Sequence, residues 1–253
     1  MSADYDTLAP IYNAIGMAAF AESMAPRLIE YAQGQHEWMG RRILDLGCGT
    51  GVIFPDLIHY GYIIKGVDRS SAMLDVTRAT LGDSVSSVNL QQGDMRDLDP
   101  SLGPVDMVLA LDVLNEVNNL RDLETTFQSA NRVLEPGKLL IFDMYTIQGV
   151  TERGQHGDTI LHNSDDLIVF TTNIYDYDRQ MHTRHFIIFQ REGQTWVRRE
   201  AQRTLRAFPT PAIASLLQRN GFHIRQVLDL RFEPFEPGLS STDRVIFLAE
   251  KNS

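Results

Sequence analysis

The chain has 253 residues, 43% of them hydrophobic, and a formal net charge of −10. That is enough for one large or two small domains with a substantial core, while the acidic balance argues against a broad nucleic-acid footprint, which requires a basic surface. The single cysteine, Cys48, excludes an intrachain disulfide, and Cys and His at metal-ligand spacing are absent, so no metal is expected.

The start, Met-Ser-Ala-Asp-Tyr-Asp, has no basic region, and Ala14 to Ala21 is too short and interrupted for a signal or a span; a cytoplasmic protein is expected. Residues 5–33 read as helical, with Pro26 starting a second helix and Gly34 ending the segment. Ile43, Leu44 and Leu46 form a short apolar strand that enters Gly47-Cys48-Gly49-Thr50-Gly51, and helix-compatible residues follow from Val52. Alternate glycines allow positive φ and close approach of a ligand to the backbone, and free N–H groups at a helix start can hold a polar or anionic group. The G-x-G-x-G spacing is one residue shorter than the dinucleotide fingerprint, and it follows an acid, Asp45.

A second buried strand, Tyr62 to Val67, ends in Asp68. An acid at that position can accept from both hydroxyls of a ribose; Asp68 or Ser70 can also cap the helix that begins near Ser71. A third strand, Val88 to Met95, ends in Gly-Asp-Met, and a fourth, Val105 to Asp112, ends in a second acid. Leu120 to Leu134 has the apolar spacing of an amphipathic helix, Glu135-Pro136-Gly137 stops it, and Lys138 to Met144 is a fifth strand. Such alternation predicts a parallel, doubly wound sheet.

Gln148 to Asp158 is a polar, glycine-containing stretch. Residues 166–207 read as three antiparallel strands with turns at Asp176–Arg179 and Arg191–Gln194. Their cluster Arg198, Arg199, Arg203 and Arg206 reads first as a solvated strand face. A helix from Pro209 to Arg219, stopped by Asn220-Gly221, and strands Phe222 to Leu230 and Asp243 to Glu250 complete the chain.

Four ordered motifs, Leu-Asp-Leu-Gly-Cys-Gly-Thr-Gly, Gly-Val-Asp-Arg-Ser before Ser71-Ala72-Met73-Leu74, Gly-Asp-Met-Arg, and Val-Asp-Met-Val-Leu, resemble those of the class I S-adenosylmethionine-dependent methyltransferases. The resemblance covers residues 40–147 closely and 208–250 more loosely. It implies an α/β, Rossmann-like, seven-stranded doubly wound sheet with an antiparallel last strand. An N-terminal helical cap (1–40) and an inserted antiparallel β-meander (148–207) would accompany the cofactor domain (41–147 and 208–253).

The resemblance also implies residue roles. Gly47, Cys48, Gly49 and Gly51 would form the loop under the cofactor, and Asp45 would orient it. Asp68 would bind the ribose, with Arg69 beside it. Asp94 would accept from the adenine amine, and the Met95 backbone would meet the adenine ring. Met73 and Leu74 would wall the adenine or simply pack the helix, and Asp112 would lie beside the methionine part or end its strand. The segment Tyr5-Asp6-x-Leu8-Ala9-x-x-Tyr12-Asn13 is similar to an opening found in many small-molecule methyltransferases, with Asn13 in place of the usual acid. Tyr12 and Asn115 are therefore the candidate catalytic residues; packing and helix-start roles are the respective alternatives.

His182, Arg184 and His185 lie in the insertion, with His182 and Arg184 sharing a face. The insertion is expected to act as a lid, a homodimer surface, or both. The expected reaction is methyl transfer to nitrogen or oxygen of a small molecule. A protein or RNA methyltransferase and a non-catalytic cofactor-binding scaffold are the alternatives. Glycine spacing and Asp94-Met95 disfavour a nicotinamide oxidoreductase, and no membrane partner is expected.

Overall fold

The computed structural model describes residues 4–253; the first three residues of the expected cap lie outside the described residues. Helices α1 (Tyr5–Leu8) and α2 (Ala19–His36) precede the alternating series. That series is β1 (Arg42–Leu46), α3 (Phe54–His59), β2 (Ile63–Asp68), α4 (Ser71–Leu81), β3 (Val88–Gln92), β4 (Val105–Ala110), α5 (Leu120–Val133) and β5 (Leu134–Tyr145). Helix α6 (Ile147–Gln155) leads into β6 (Thr159–Asn163), β7 (Leu167–Asp176), β8 (Met181–Glu192) and β9 (Thr195–Arg206). The chain ends with α7 (Thr210–Arg219), β10 (Phe222–Leu228) and β11 (Arg244–Lys251).

The main sheet has seven strands in the order β10-β11-β5-β4-β1-β2-β3, with β11 antiparallel to both neighbours, as the fold class requires. The central strand β4 is buried at every position. Its Val108 and Ala110 face one core with Phe127 and Leu217, and its Met107 and Leu109 face the other with Leu28 and Phe54. Burial on both faces is why this strand reads as a continuous apolar run.

Strands β6 to β9 form a separate antiparallel sheet. Leu167, Val169, Phe186, Ile188 and Ala201 on its inner face pack against Leu8, Ile11 and Ile15 of the N-terminal segment. Its outer face exposes Ile160, Phe170, Ile174 and Trp196.

Three local readings change. Pro26 lies inside α2, and the helix runs past Gly34 to His36. The buried stripe Met24, Ala25, Leu28, Ile29 and Ala32 continues across the proline, so tertiary burial offsets the lost N–H bond. The polar stretch at 148–158, to which no element was assigned, is largely α6: Thr146 caps it by accepting from the Gly149 N–H at 3.1 Å. Gly149 is needed there for close packing, since a Cβ would fall 1.9 Å from the Asp243 carbonyl oxygen. The meander gains an additional edge strand, β6, whose short, mixed sequence carries little alternation.

Asp106 ties the start of β1 to β4. Its carboxylate accepts from the backbone N–H groups of Arg41 (3.0 Å) and Arg42 (2.9 Å) and pairs with the Arg42 guanidinium at 2.7 Å. Those bonds hold its carboxyl well below the usual carboxylate range. Asp106→Asn is expected to destabilise the fold by about 1–3 kcal/mol at neutral pH. A depressed folded pKa gives stability that is complete above the unfolded value, about 3.9, and is lost as pH falls below it. Denaturation of both proteins at neutral pH and near pH 3 should show the gap narrowing in acid; a gap independent of pH would remove the ionic contribution.

Candidate active site

The turn after β1 holds Gly47, Gly49 and Gly51 at φ of 68°, 55° and 61°. The N–H groups of Gly47 and Cys48 both donate to the Val67 carbonyl, which hangs the turn from β2. A Cβ on Gly47 would lie 2.6 Å from Val113, and one on Gly51 2.5 Å from Thr77. A Cβ on Gly49 would meet nothing nearer than the Gly47 carbonyl oxygen at 4.0 Å. Two glycines therefore permit close packing, while the middle one faces open space. Cys48 is buried in the core with Phe54 below the turn, and burial pushes its thiol pKa up. It supports the turn from beneath and is a poor nucleophile.

Asp68, at the tip of β2, accepts from the N–H of Gly49 (2.8 Å) and of Ser70 (2.9 Å). Ser70, not Asp68, caps α4, accepting from the Met73 N–H at 3.1 Å. Burial raises the Asp68 pKa despite these bonds. Asp45, buried at the end of β1, is pushed up to about 8 by burial and by the charge of Asp68. Two acids held in this way under an open turn suit a cationic ligand, which would favour their ionised forms.

A cleft of about 380 Å³ opens beside the turn. Of the expected cofactor residues, Gly47, Asp68, Arg69, Asp94 and Met95 line it, and Tyr5, Asp6, Val113 and Glu116 add to its wall. Asp94 takes three bonds from Arg96, two at Oδ1 and one at Oδ2. Arg96 thereby holds its carboxyl below the usual range, and one lone-pair direction on Oδ2 remains for a donor. Met73 and Leu74 are buried in the α4 packing, outside the cleft lining. The open Gly49, the acid pair and the cleft size fit S-adenosylmethionine.

The N-terminal segment straps this site. Asp6 accepts from the Ser70 hydroxyl at 2.6 Å and Asn13 from the Thr50 hydroxyl at 2.7 Å, while the Tyr5 hydroxyl donates to Glu116. Asn13 therefore holds the glycine turn where an acid was the expected residue.

Asp112 adopts a left-handed conformation, φ 56°, and lies outside the cleft lining. Arg203 of β9 donates to its carboxylate at 2.9 Å and to Glu116 at 2.8 Å. Arg244 of β11 pairs with the other Asp112 oxygen and approaches Asp143 at 3.3 Å. Asp143 accepts from the Asp112 N–H at 2.7 Å. The Arg244 guanidinium also lies over the rings of Phe20 (3.6 Å) and Tyr145 (3.8 Å). Burial opposes ionisation of Asp112, yet Arg203 and Arg244 pull its pKa down; burial dominates at Glu116 and Asp143, which are raised.

The two candidate catalytic residues separate. Asn115 is 4% exposed. Its amide donates to the carbonyls of Tyr145 (3.1 Å) and Arg206 (2.8 Å) and accepts from the Tyr145 N–H (2.7 Å). Both donors are used, so Asn115 joins β5 to the end of β9 and has no N–H left for an acceptor. Tyr12 stands edge-on to Tyr5 at 6.1 Å, within the field of Arg203, Asp112, Glu116 and Asp68. Burial raises its pKa well above that of a free phenol. Its hydroxyl has no hydrogen-bond partner among the described residues.

Arg203 and Arg244 were not legible as site residues. Arg203 belongs to the cluster read as a solvated face, yet it is 7% exposed; Arg198 and Arg199 do make surface pairs, with Glu200 and Glu192. Truncating Arg203 leaves Asp112 and Glu116 buried beside each other. Arg203→Gln is expected to lower stability by about 3–5 kcal/mol, the scale for breaking one side of a buried ion pair. A denaturation midpoint close to that of the unaltered protein would mean that water compensates both acids.

Comparison with known proteins agrees with this geometry. Residues 43–137 match the family described as Methyltransferase domain. The chain is 30% identical over 213 residues to YqeM of Bacillus subtilis (strain 168), which is named provisionally as a methyltransferase; the match covers 83% of this chain and 84% of that protein. Among solved structures, an S-adenosylmethionine-dependent methyltransferase from Clostridium acetobutylicum ATCC 824 superposes with a TM-score of 0.82 at 20% identity, covering 98% of this chain and 99% of the other. The sugar N-methyltransferase KedS8 from Streptoalloteichus sp ATCC 53650 gives 0.72 at 18% identity, covering 93% and 88%. With its cofactor turn, its acid-tipped strands and this extended sequence identity, the chain belongs to the class I S-adenosylmethionine-dependent methyltransferases.

Proposed function

We propose that this enzyme transfers the methyl group of S-adenosylmethionine to a nitrogen or oxygen atom of a small molecule. The observation that carries the reading is the enclosure of the site. The strap from Tyr5 to Asn13 and the inner face of the second sheet close over the carboxyl ends of the strands, where ligands bind in such sheets. A wall built on two sides suits a compact acceptor. The fold shared with a sugar N-methyltransferase supports the same substrate scale.

When bound, S-adenosylmethionine supplies an electrophilic methyl group on a sulfonium. The chain's own part is to orient the reactants and exclude water. We assign Asp68 and Asp94 to hydrogen bonding of the cofactor, and Gly49 to its close approach to the turn. Tyr12, kept protonated by burial, is assigned to hold the acceptor through its unpartnered hydroxyl and is unsuited to act as a base at neutral pH. Asn115 is assigned as a positioning residue for the wall between β5 and β9.

Calorimetric titration tests the cofactor assignments. S-adenosylmethionine and S-adenosylhomocysteine should bind saturably, and Asp68→Ala should weaken both by about 1–3 kcal/mol. Unchanged affinity in the variant would remove Asp68 from the site. Tyr12→Phe should leave S-adenosylhomocysteine affinity within about twofold while lowering turnover of an acceptor found by screening amines and alcohols by roughly tenfold or more. An unaltered rate would return Tyr12 to a packing role.

A further inference from the structure

The inner face of the second sheet carries a row that the cofactor does not explain. Asn173 of β7, Arg184 of β8 and Arg203 of β9 are register partners across three strands. Like charges directly opposite each other on one face of a sheet are destabilising. Arg203 is relieved by Asp112 and Glu116. Arg184 is not: its side chain makes one long hydrogen bond, Nε to the Asn173 oxygen at 3.3 Å, and no carboxylate pairs with it among the described residues.

The neighbouring row deepens the imbalance. Tyr175, His182 and Leu205 are register partners. His182 is 2% exposed and shares the Asn173 oxygen with Arg184, at 2.8 Å from Nε2; its Nδ1 is buried without a partner. Burial, with Arg184 and Arg153 next, lowers its pKa to about 3, so the imidazole is neutral. Arg153 of α6 lies over the Tyr145 ring at 4.4 Å and also has a buried Nε without a partner. Among the described residues Arg153, Arg184 and Arg206 lack carboxylate partners while half-buried, but Arg206 donates to the Arg179 carbonyl at 3.2 Å and to the Met181 sulfur at 2.8 Å; Arg27, Arg41 and Arg121, which also lack carboxylate partners, are exposed to water. Two half-buried guanidiniums beside an orphaned imidazole, next to the Asp112–Arg203 pair at the carboxyl end of β4, are a poor arrangement for a protein alone and a good one around an oxyanion.

We infer that Arg184 and Arg153, with His182, form the subsite for an anionic group of the methyl acceptor, so that the substrate class is a small carboxylate or phosphate compound bearing the amine or hydroxyl to be methylated. The inference rests on the small-molecule reading above and adds the charge of the acceptor to it. Arg184 and Arg153 would bind the oxyanion by charge-assisted hydrogen bonds; His182, whose Nε2–H donates to the Asn173 oxygen, presents Nδ1 as an acceptor and would support the anion through a water that donates to both. Asn173 would set the Arg184 side chain.

The test uses the full chain saturated with S-adenosylhomocysteine, whose own binding is measured first by calorimetry. Inorganic phosphate and acetate are then titrated separately, with glucose and glucose 6-phosphate as a neutral and anionic matched pair. Glucose 6-phosphate should bind more tightly than glucose. Arg184→Gln and Arg153→Gln should each weaken the preferred anion by roughly tenfold or more while leaving S-adenosylhomocysteine affinity within about twofold. Preference for phosphate or for acetate identifies which oxyanion the acceptor carries. Thermal midpoint is the second readout: the anion should raise it in the unaltered protein by mass action and fail to do so in Arg184→Gln. Without any anion, Arg184→Gln should be no less stable than the unaltered protein, because it removes a like-charge pair. Equal anion binding by the unaltered and variant proteins, no anion binding by protein that binds S-adenosylhomocysteine, or a marked loss of stability in Arg184→Gln would overturn the inference. Failure of S-adenosylhomocysteine binding alone, with arginine-dependent anion binding intact, would instead count against the cofactor assignments.

Discussion

The structure depends on a buried chain of charge: Glu116, Arg203, Asp112, Arg244 and Asp143. A buried ion removed from its partners costs several kcal/mol, so none of these side chains is tolerable until the others arrive. They come from the turn after β4, from β9, from β11 and from β5. The strap contributes Tyr5 at one end, and α2 the ring of Phe20 at the other. Assembly of this chain therefore requires that the second sheet, the strap and the main sheet be in place together. Apolar packing alone would allow the second sheet to slide on Leu8 and Ile11; the directional pairs of Arg203 fix its register.

This chain of charge also shapes the cofactor side. Asp112 is held left-handed while its carboxylate faces two guanidiniums and its N–H reaches Asp143. The next residue, Val113, is thereby set against Gly47, so closely that any side chain at Gly47 would overlap it. The glycine turn is thus gripped from both sides, by Val67 of β2 through backbone bonds and by Val113 through packing. The second-sheet wall and the glycine turn share one support, and a displacement of Arg203 would reach Gly47 through only Asp112 and Val113.

What the sequence made legible follows from range. The glycine turn, Asp68 with Ser70, and the Gly-Asp-Met end of β3 are marked by contiguous motifs, and Asp68 reaches Ser70 across 2 positions and Gly49 across 19. The alternation of apolar runs and amphipathic helix was likewise enough for the main sheet. The side that faces the second sheet is built differently. Arg203 meets Asp112 across 91 positions and Arg244 meets it across 132, and neither arginine has a local pattern to mark it. In the sequence Arg203 stands beside two arginines that do face solvent. Pro26 misled for a related reason: its local meaning, a helix start, is overridden by long-range packing of the stripe on α2.

Hydrogen-bond capacity sorts the remaining residues better than motif position does. Asn115 and Tyr12 were equivalent as candidates in the sequence, since both are polar groups near the expected acceptor site. Folding uses both donors of Asn115 on backbone carbonyls that would otherwise be buried and unpaired, so its amide is part of the wall. It leaves the Tyr12 hydroxyl without a protein partner in a region crowded with charge. The same distinction separates Arg203, whose guanidinium meets two acids, from Arg184, which stands opposite it with one long bond. Groups that a fold leaves incomplete while half-buried carry a free-energy cost that a ligand can remove, and here they lie on the side of the site that the cofactor motifs do not reach.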